Sequence, residues 1–214
     1  MIAHHPDEDL LLSYASGAAG EALGLILATH LSFCPACRAR VGELEAVGGA
    51  LLDTMAPVAL TEGAVQAALA KLDGLKPYPR PPRRAVPRDG TPAVLRDYIG
   101  GGLDQVRWRR MGPKLAYAPL FQRGPVRARL LRGAPGAESG PHSHQGWEYT
   151  LVLQGGFGDV TGSYGPGDLQ VMGDGPSHNP IADPGEDCIN LAVTTGRLKF
   201  DRLSQKIAGP LFGF

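Results

Sequence analysis

Six prolines stand between residues 77 and 92, at Pro77, Pro79, Pro81, Pro82, Pro87 and Pro92, interleaved with Arg80, Arg83, Arg84 and Arg88. Proline has no amide proton and fixes its own φ, so at this density neither a helix nor a sheet interior can form. The stretch from 74 to 92 therefore reads as an extended, solvated linker, with folding confined to either side of it. The two sides differ in character. Residues 7 to about 73 are rich in Ala and Leu at helical spacing, whereas from about residue 115 short apolar runs alternate with glycine-rich turns, the pattern of antiparallel β structure. The 30 glycines and 19 prolines of the 214-residue chain exceed what a helical bundle tolerates and point to a β-rich part. The expected fold class is α+β as two domains: a small helical bundle over 1–73, the linker over 74–92, and an all-β jelly-roll barrel over 93–214, entered through an ordered lead-in around Leu95 to Arg110.

Asp7 can cap a first helix carrying Leu10, Leu11, Tyr14 and Ala15, which Gly17 to Gly20 break. A second helix from Glu21 to about Phe33 places Leu23, Leu27 and His30 at helical spacing. A third starts around Pro35 and carries Val41, Leu44, Val47 and Leu51; a fourth opens at Thr61 with Val65, Leu69 and Leu72 on one face. A bundle of about 65 residues has little core of its own and needs a staple or a partner. Strands are expected at Lys114 to Phe121, Val126 to Arg132, Trp147 to Gln154, Phe157 to Thr161, Asp168 to Met172 and Cys188 to Thr195, with tight turns at Gly155-Gly156 and Gly165-Pro166-Gly167.

Charge narrows the function classes. Lys plus Arg balances Asp plus Glu at 21 each, and a general nucleic-acid binder carries a basic excess, so DNA and RNA are poor default partners. No apolar run approaches the roughly 18 residues of a membrane span. The opening from Met1 to Asp9 lacks a basic region followed by an apolar core, so a cytoplasmic protein is expected. In that compartment a Cys-x-x-Cys pair is a metal site or a redox couple rather than a structural disulfide.

His30-x3-Cys34-x2-Cys37 puts three metal-capable side chains within eight residues. His30 and Cys34 share a helix face if the helix continues that far. Cys34-Pro35-Ala36-Cys37 makes the short turn that aims two thiolates at one ion. A structural zinc takes four tetrahedral ligands, and His5 or His4, just ahead of the first helix, is the candidate fourth. A thioredoxin-type redox pair would need a βαβ context that this segment lacks. The small domain also gains folding energy from the metal.

With these residues in view, the chain resembles the zinc-binding anti-sigma domain. His4-His5-x5-Leu11-Leu12-x-Tyr14-Ala15-x-Gly17, Ala28-Thr29-His30-Leu31, Arg38-Ala39-Arg40, Ala46-Val47-Gly48-Gly49 and Ala56-Pro57-Val58-Ala59-Leu60 are similar to the ChrR-type anti-sigma factors in particular. That resemblance implies His5, rather than His4, as the fourth zinc ligand.

A second motif, Gly136-x5-His142-x-His144-x3-Glu148-x6-Gly155, resembles the first motif of the cupin barrel. Residues 142, 144 and 148 share parity, so on an extended strand their side chains face one way, into the barrel. Two imidazoles and a carboxylate leave room for a third histidine, and His178, after the Gly165-Pro166-Gly167-Asp168 turn, is the natural candidate. The second cupin motif is irregular here: the turn is Pro-Gly rather than Pro-x-Gly, and the gap to His178 is longer. Leu151-Val152-Leu153-Gln154-Gly155 is again similar to ChrR-type proteins. Three His and one Glu suit zinc, iron, manganese or nickel; the resemblance favours zinc. The six histidines of the chain all fall in these two clusters, with only the choice between His4 and His5 left over.

The resemblance implies an anti-sigma factor that holds an extracytoplasmic-function sigma factor, as a 1:1 heterodimer, between its two polymerase-binding regions. It also implies release of that factor under singlet oxygen or related oxidative stress sensed by the cupin half. Leu10, Leu11, Tyr14, Ile26 and Leu27 are the expected apolar anchors for the partner, and Trp147, Met172 and Cys188 are oxidisable residues in the cupin half. The competing class is a metal-dependent cupin enzyme of dioxygenase or isomerase type. Four protein ligands can close a zinc site, however, and the sequence ties no further acid, base or nucleophile to the pocket. The expectation is therefore a regulator, not an enzyme.

Overall fold

The computed structural model describes residues 2–75 and 90–200. Most of the expected linker, residues 76–89, lies outside the described residues, as does the chain beyond Phe200. The N-terminal half is helical: α1 (Glu8–Ala15), α2 (Glu21–Phe33), α3 (Pro35–Asp53) and α4 (Ala64–Asp73). The Asp7 carboxylate accepts the Leu10 amide proton at 2.9 Å and so caps α1. α2 and α3 meet at Cys34, whose extended backbone (φ −102°, ψ 104°) ends one helix and caps the next. The expected end of the second helix near Phe33 is observed, so α2 does not continue far enough for His30 and Cys34 to share a helix face. Pro35 at the start of α3 cannot continue α2, and it suits a first turn whose amides are unpaired in any case.

α5 (Ala93–Ile99) leads into eleven strands among the described residues: β1 (Arg109–Arg110), β2 (Leu115–Arg123), β3 (Val126–Gly133), β4 (His142–His144), β5 (Glu148–Gln154), β6 (Phe157–Asp159), β7 (Gly162–Tyr164), β8 (Leu169–Met172), β9 (Ile181–Ala182), β10 (Cys188–Thr194) and β11 (Leu198–Phe200). Six form an antiparallel sheet in the order β1-β2-β3-β10-β5-β8; β7-β6-β9 and β11-β4 complete the β part. All six strands expected from the sequence are present. The shorter β1, β4, β7, β9 and β11 carry too few alternations to be seen in it.

β10 runs between β3 and β5, setting Leu191 opposite Leu130 and Leu151. All three are fully buried. The core they begin continues into the helical half through Ala22, Leu25, Ile26 and Leu27 of α2 and Leu95 of α5. α2 also meets a second core, in which Leu31 joins Leu11, Cys34, Cys37 and Val41. A helix apolar on all sides needs cover on all sides, and here α1 and α3 supply part of it and the sheet supplies the rest. The expected shortage of core in the helical half is thus met by the β sheet itself.

Ile26 and Leu27, expected as partner anchors, have no exposed surface. Their side chains lie inside the helix–sheet core. Burying such a side chain is worth about 1.5–3 kcal/mol, and truncation adds a cavity term. Ile26→Ala or Leu27→Ala should therefore lower unfolding free energy by about 2–5 kcal/mol in urea titrations, with helical and β signals lost together. A loss of partner binding at unchanged stability would refute this placement.

Candidate metal centres

The N-terminal cluster forms where chain entry, the end of α2 and the start of α3 converge. His5 Nδ1 lies 3.4 Å from both Cys34 Sγ and Cys37 Sγ, and the Cys37 amide donates to Cys34 Sγ at 3.4 Å. The His5 ring meets the His30 ring edge-on at 5.8 Å. His30 is fully buried, and its Nδ1–H donates to the Gly167 carbonyl at 2.8 Å. That bond selects the tautomer and leaves Nε2 as the free lone pair, which is buried without a hydrogen-bond partner. Burial pushes the His30 pKa down, so the imidazole is neutral, with the Gly167 carbonyl opposing in part. Burial and the adjoining Cys34 push the Cys37 thiol up to about 12. Two thiols and two imidazoles offer one donor atom each within 4.8 Å of one another. Tetrahedral zinc bonds of about 2.0–2.3 Å would put such donors roughly 3.3–3.8 Å apart, so the set fits a divalent cation.

The second cluster lies inside the β part. His142 and His144 sit on β4, and Glu148 opens β5 after a break at 145–147. The parity argument from a single strand is corrected: two strands bring these side chains together. His178 belongs to none of the named strands; it is bridged to His142 by paired backbone bonds of 3.0 and 2.9 Å. Glu148 Oε2 is 3.0 Å from His144 Nε2, 3.8 Å from His142 Nε2 and 3.9 Å from His178 Nε2. All four residues are buried. Burial alone would raise the Glu148 pKa, but His142 and His144 outweigh it and hold the carboxyl well below its usual range. A buried carboxylate facing three imidazoles needs balancing positive charge, which a metal ion supplies.

Outer contacts aim these ligands. His142 Nδ1–H donates to the Gly140 carbonyl at 2.8 Å, and His178 Nδ1–H to Asp159 Oδ2 at 2.7 Å. His178 Nε2 then points inward, buried and without a hydrogen-bond partner. Burial opposes ionisation of Asp159, but bonds from Thr161, His178 and Gln170 outweigh it and bring its pKa to about 2. A cavity of about 180 Å³ opens beside the cluster, with Leu115, Leu131, Phe157, Cys188 and Phe200 in its lining. Cys188 is buried on β10, and burial pushes its thiol up to about 11.

The sequence did not single out Asp159 or Gln170, and it offered His4 only as an alternative ligand and Asp168 only as part of a turn; all four hold the clusters or their surroundings in place. Asp159 was detectable only as the start of a tight turn: its Oδ1 accepts the Thr161 amide at 2.7 Å. A second omission concerns surface. Leu10 and Tyr14 are half-buried and Leu11 is buried, whereas Val47, Leu51 and Leu52 of α3 and Val65, Leu69 and Leu72 of α4 are exposed. α4 buries none of its residues. The helical spacing of these positions was legible, but their lack of cover was not.

Residues 99–199 match the ChrR cupin-like domain family. Over 212 residues the chain is 46% identical to the anti-sigma-E factor ChrR of Cereibacter sphaeroides, covering 99% of this chain and 98% of that one. The crystal structure of Rhodobacter sphaeroides SigE in complex with the anti-sigma ChrR contains a chain 44% identical to this one. It superposes with a TM-score of 0.79, covering 91% of this chain and all of the other. An RmlC-like cupin from Ralstonia eutropha is far more distant, at 17% identity and a TM-score of 0.42 over 48% of this chain and 71% of that one.

If Asp159 orients His178, Asp159→Ala should weaken metal binding at the His142, His144, Glu148 and His178 cluster about 10–100-fold, measured by chelator competition on the full chain. An unchanged affinity would show that the hydrogen bond does not matter to the site.

Proposed function

We propose that this chain, which belongs to the ChrR family of anti-sigma factors, is itself an anti-sigma factor that binds and inhibits an extracytoplasmic-function sigma factor in a 1:1 complex. What carries the reading is that the likeness spans both halves of the chain, with a four-residue cluster gathered in each. The role is regulatory rather than enzymatic. The division of labour proposed is a helical anti-sigma region over 1–73, a linker over 74–92, and a cupin region over 93–214. Among the described residues, no helix is long and apolar enough to cross a membrane. A cytoplasmic partner and location accord with this reading.

Zinc is the proposed occupant of the His5, His30, Cys34 and Cys37 site, because two thiolates with two imidazoles favour it over harder cations. Zinc is also proposed for His142, His144, Glu148 and His178, a donor set that iron, manganese or nickel would accept as well. When bound, the first ion would lock the α2–α3 junction against the chain's N-terminal segment. The docking surface proposed for the sigma factor is the uncovered apolar row on α3 and α4 together with the half-exposed face of Leu10 and Tyr14. Ile26 and Leu27 are spent on the helix–sheet core. Apolar side chains in such numbers without cover mark an interaction surface.

The cupin region is proposed as the sensor of singlet oxygen or related oxidative stress. Singlet oxygen attacks electron-rich side chains, and two of these flank Glu148. Trp147 precedes it and is about half exposed, and Met172 is its cross-strand neighbour on β8. Oxidation there would disturb the cluster from outside without a path through the barrel. Replacing Leu69 and Leu72 together by Asp should cut sigma-factor capture by the purified full-length protein at least 100-fold while leaving metal content unchanged. Capture at unaltered strength would remove α4 from the interface. The variant combining Glu148→Ala with His178→Ala should hold the sigma factor in the dark yet fail to release it normally under singlet oxygen. Normal release would eliminate the sensor assignment.

A further inference from the structure

The two clusters are far apart in the chain, yet a continuous run of contacts connects them, and only its end members are candidate ligands. It starts at His178, whose Nδ1–H donates to Asp159 Oδ2. Gln170 Nε2 donates to both Asp159 Oδ2 and Thr161 Oγ1, each at 2.9 Å. The single Thr161 hydroxyl proton goes to Asp159 Oδ1 at 2.6 Å, so the Tyr164 hydroxyl must be the donor across the 2.9 Å contact to Thr161 Oγ1. The Tyr164 ring stacks on Phe157 and also meets the His4 ring, at centroid distances of 4.9 and 4.3 Å. His4 Nε2–H donates to the Ser163 carbonyl at 3.1 Å. One peptide bond further on stands His5.

A second set of contacts reaches the same cluster from the turn between β7 and β8. Asp168 Oδ1 accepts the amides of Ala3 and His4 at 2.7 and 2.9 Å, while its Oδ2 accepts the Gly165 amide at 2.9 Å. The Leu169 amide donates to the His4 carbonyl at 3.1 Å, so residues 3 and 4 lie along the start of β8. Gly167, with φ of +91°, presents its carbonyl to His30. A Cβ at Gly167 would sit 3.0 Å from the Cβ of Phe33 and 2.7 Å from Cδ1 of Ile2, so only glycine lets the turn approach this closely. Gly167 and Asp168 are also paired through their backbones with Val152 of β5, the strand that Glu148 begins. Both histidines of the N-terminal cluster are thus placed by one cupin turn, and that turn is tied to the strand and the hydrogen-bond chain that place Glu148 and His178.

We propose that the β7–β8 turn and the chain Asp159–Thr161–Tyr164–His4 couple the two clusters, making Tyr164 and Asp168 positioning residues for the distant thiolate site. This rests on the reading that both clusters hold metal. Loss of order at the cupin cluster then loosens His5 and His30, and with them the α2–α3 junction beside the proposed docking surface. Coupling of this kind is reciprocal and typically alters affinity by about 5–150-fold.

Cobalt(II) reports the N-terminal site selectively, since only that cluster has thiolates to give sulfur-to-metal charge-transfer absorption. The experiment follows that band on the full-length protein under chelator competition, with the cupin cluster intact or broken by His144→Gln or, separately, by Glu148→Gln. Both substitutions lie off the proposed path. Either should weaken cobalt binding at the thiolate site on the order of tenfold. Tyr164→Phe, which keeps the ring and removes the hydroxyl, should retain the band but shrink the effect of breaking the cupin cluster to less than about twofold, a double-mutant cycle. If thiolate-site affinity ignores both cupin substitutions, or if Tyr164→Phe leaves their effect intact, the coupling is refuted. Absence of the band in the unaltered protein would instead overturn the metal reading on which the coupling rests.

Discussion

Helix α2 is covered on more than one side, and both halves of the molecule depend on that circumstance. Through Ala22, Leu25, Ile26 and Leu27 it joins the core of the β sheet, and through Leu31 and its junction with α3 it joins the core around Cys34 and Cys37. A short bundle with one thin core would be marginal alone. Lodged against a six-stranded sheet, it shares the sheet's buried surface, so the geometry of the metal-competent junction is referred to the barrel rather than to the bundle. The same burial excludes Ile26 and Leu27 from any partner surface in this structure.

Electrostatics explains why each cluster suits a cation. At the N-terminal site burial favours neutral imidazole and neutral thiol, and the Cys37 thiol is held at about 12 by burial and by Cys34. A divalent ion reverses that preference by stabilising thiolates directly. In the barrel the balance runs the other way: Glu148 is already held ionised by its histidines, and the excess to be neutralised is negative charge shared among buried polar atoms. The outer partners are matched to these needs. Backbone carbonyls at Gly140 and Gly167 and the carboxylate of Asp159 each take one ring proton and turn the other nitrogen toward the site.

Much of this was legible in the chain. The His30-x3-Cys34-x2-Cys37 and His142-x-His144-x3-Glu148 spacings named six of the eight clustered side chains without further context, since ligand spacing is a local property. His178 followed from the need for one more donor after the β-turn. His5 was separated from His4 only by family resemblance, and the structure shows why spacing could not do it. Both histidines are adjacent to the first helix, but His4 is turned onto Tyr164 and Ser163 while His5 faces the cysteines. Arguments that need one continuous element do not carry across its end. The helix stops before Cys34 and a break separates His144 from Glu148, yet in both places the donors still converge because a neighbouring element replaces the missing continuity.

The sequence by itself determined which side chains are chemically competent, where helices and the longer strands run, and which face of each is apolar. Periodicity and ligand spacing are short-range, so they survive without knowledge of the fold. Only the tertiary structure decided what covers each apolar face. The face of α2 met a sheet, while Val47 and Leu51 on the later turns of α3 and the equally regular face of α4 stay exposed among the described residues, and no pattern within a helix records which of these will happen. The same limit applies to Gly167, Asp168 and Tyr164. Their importance lies in contacts with residues more than a hundred positions away, which packing creates and local sequence does not encode.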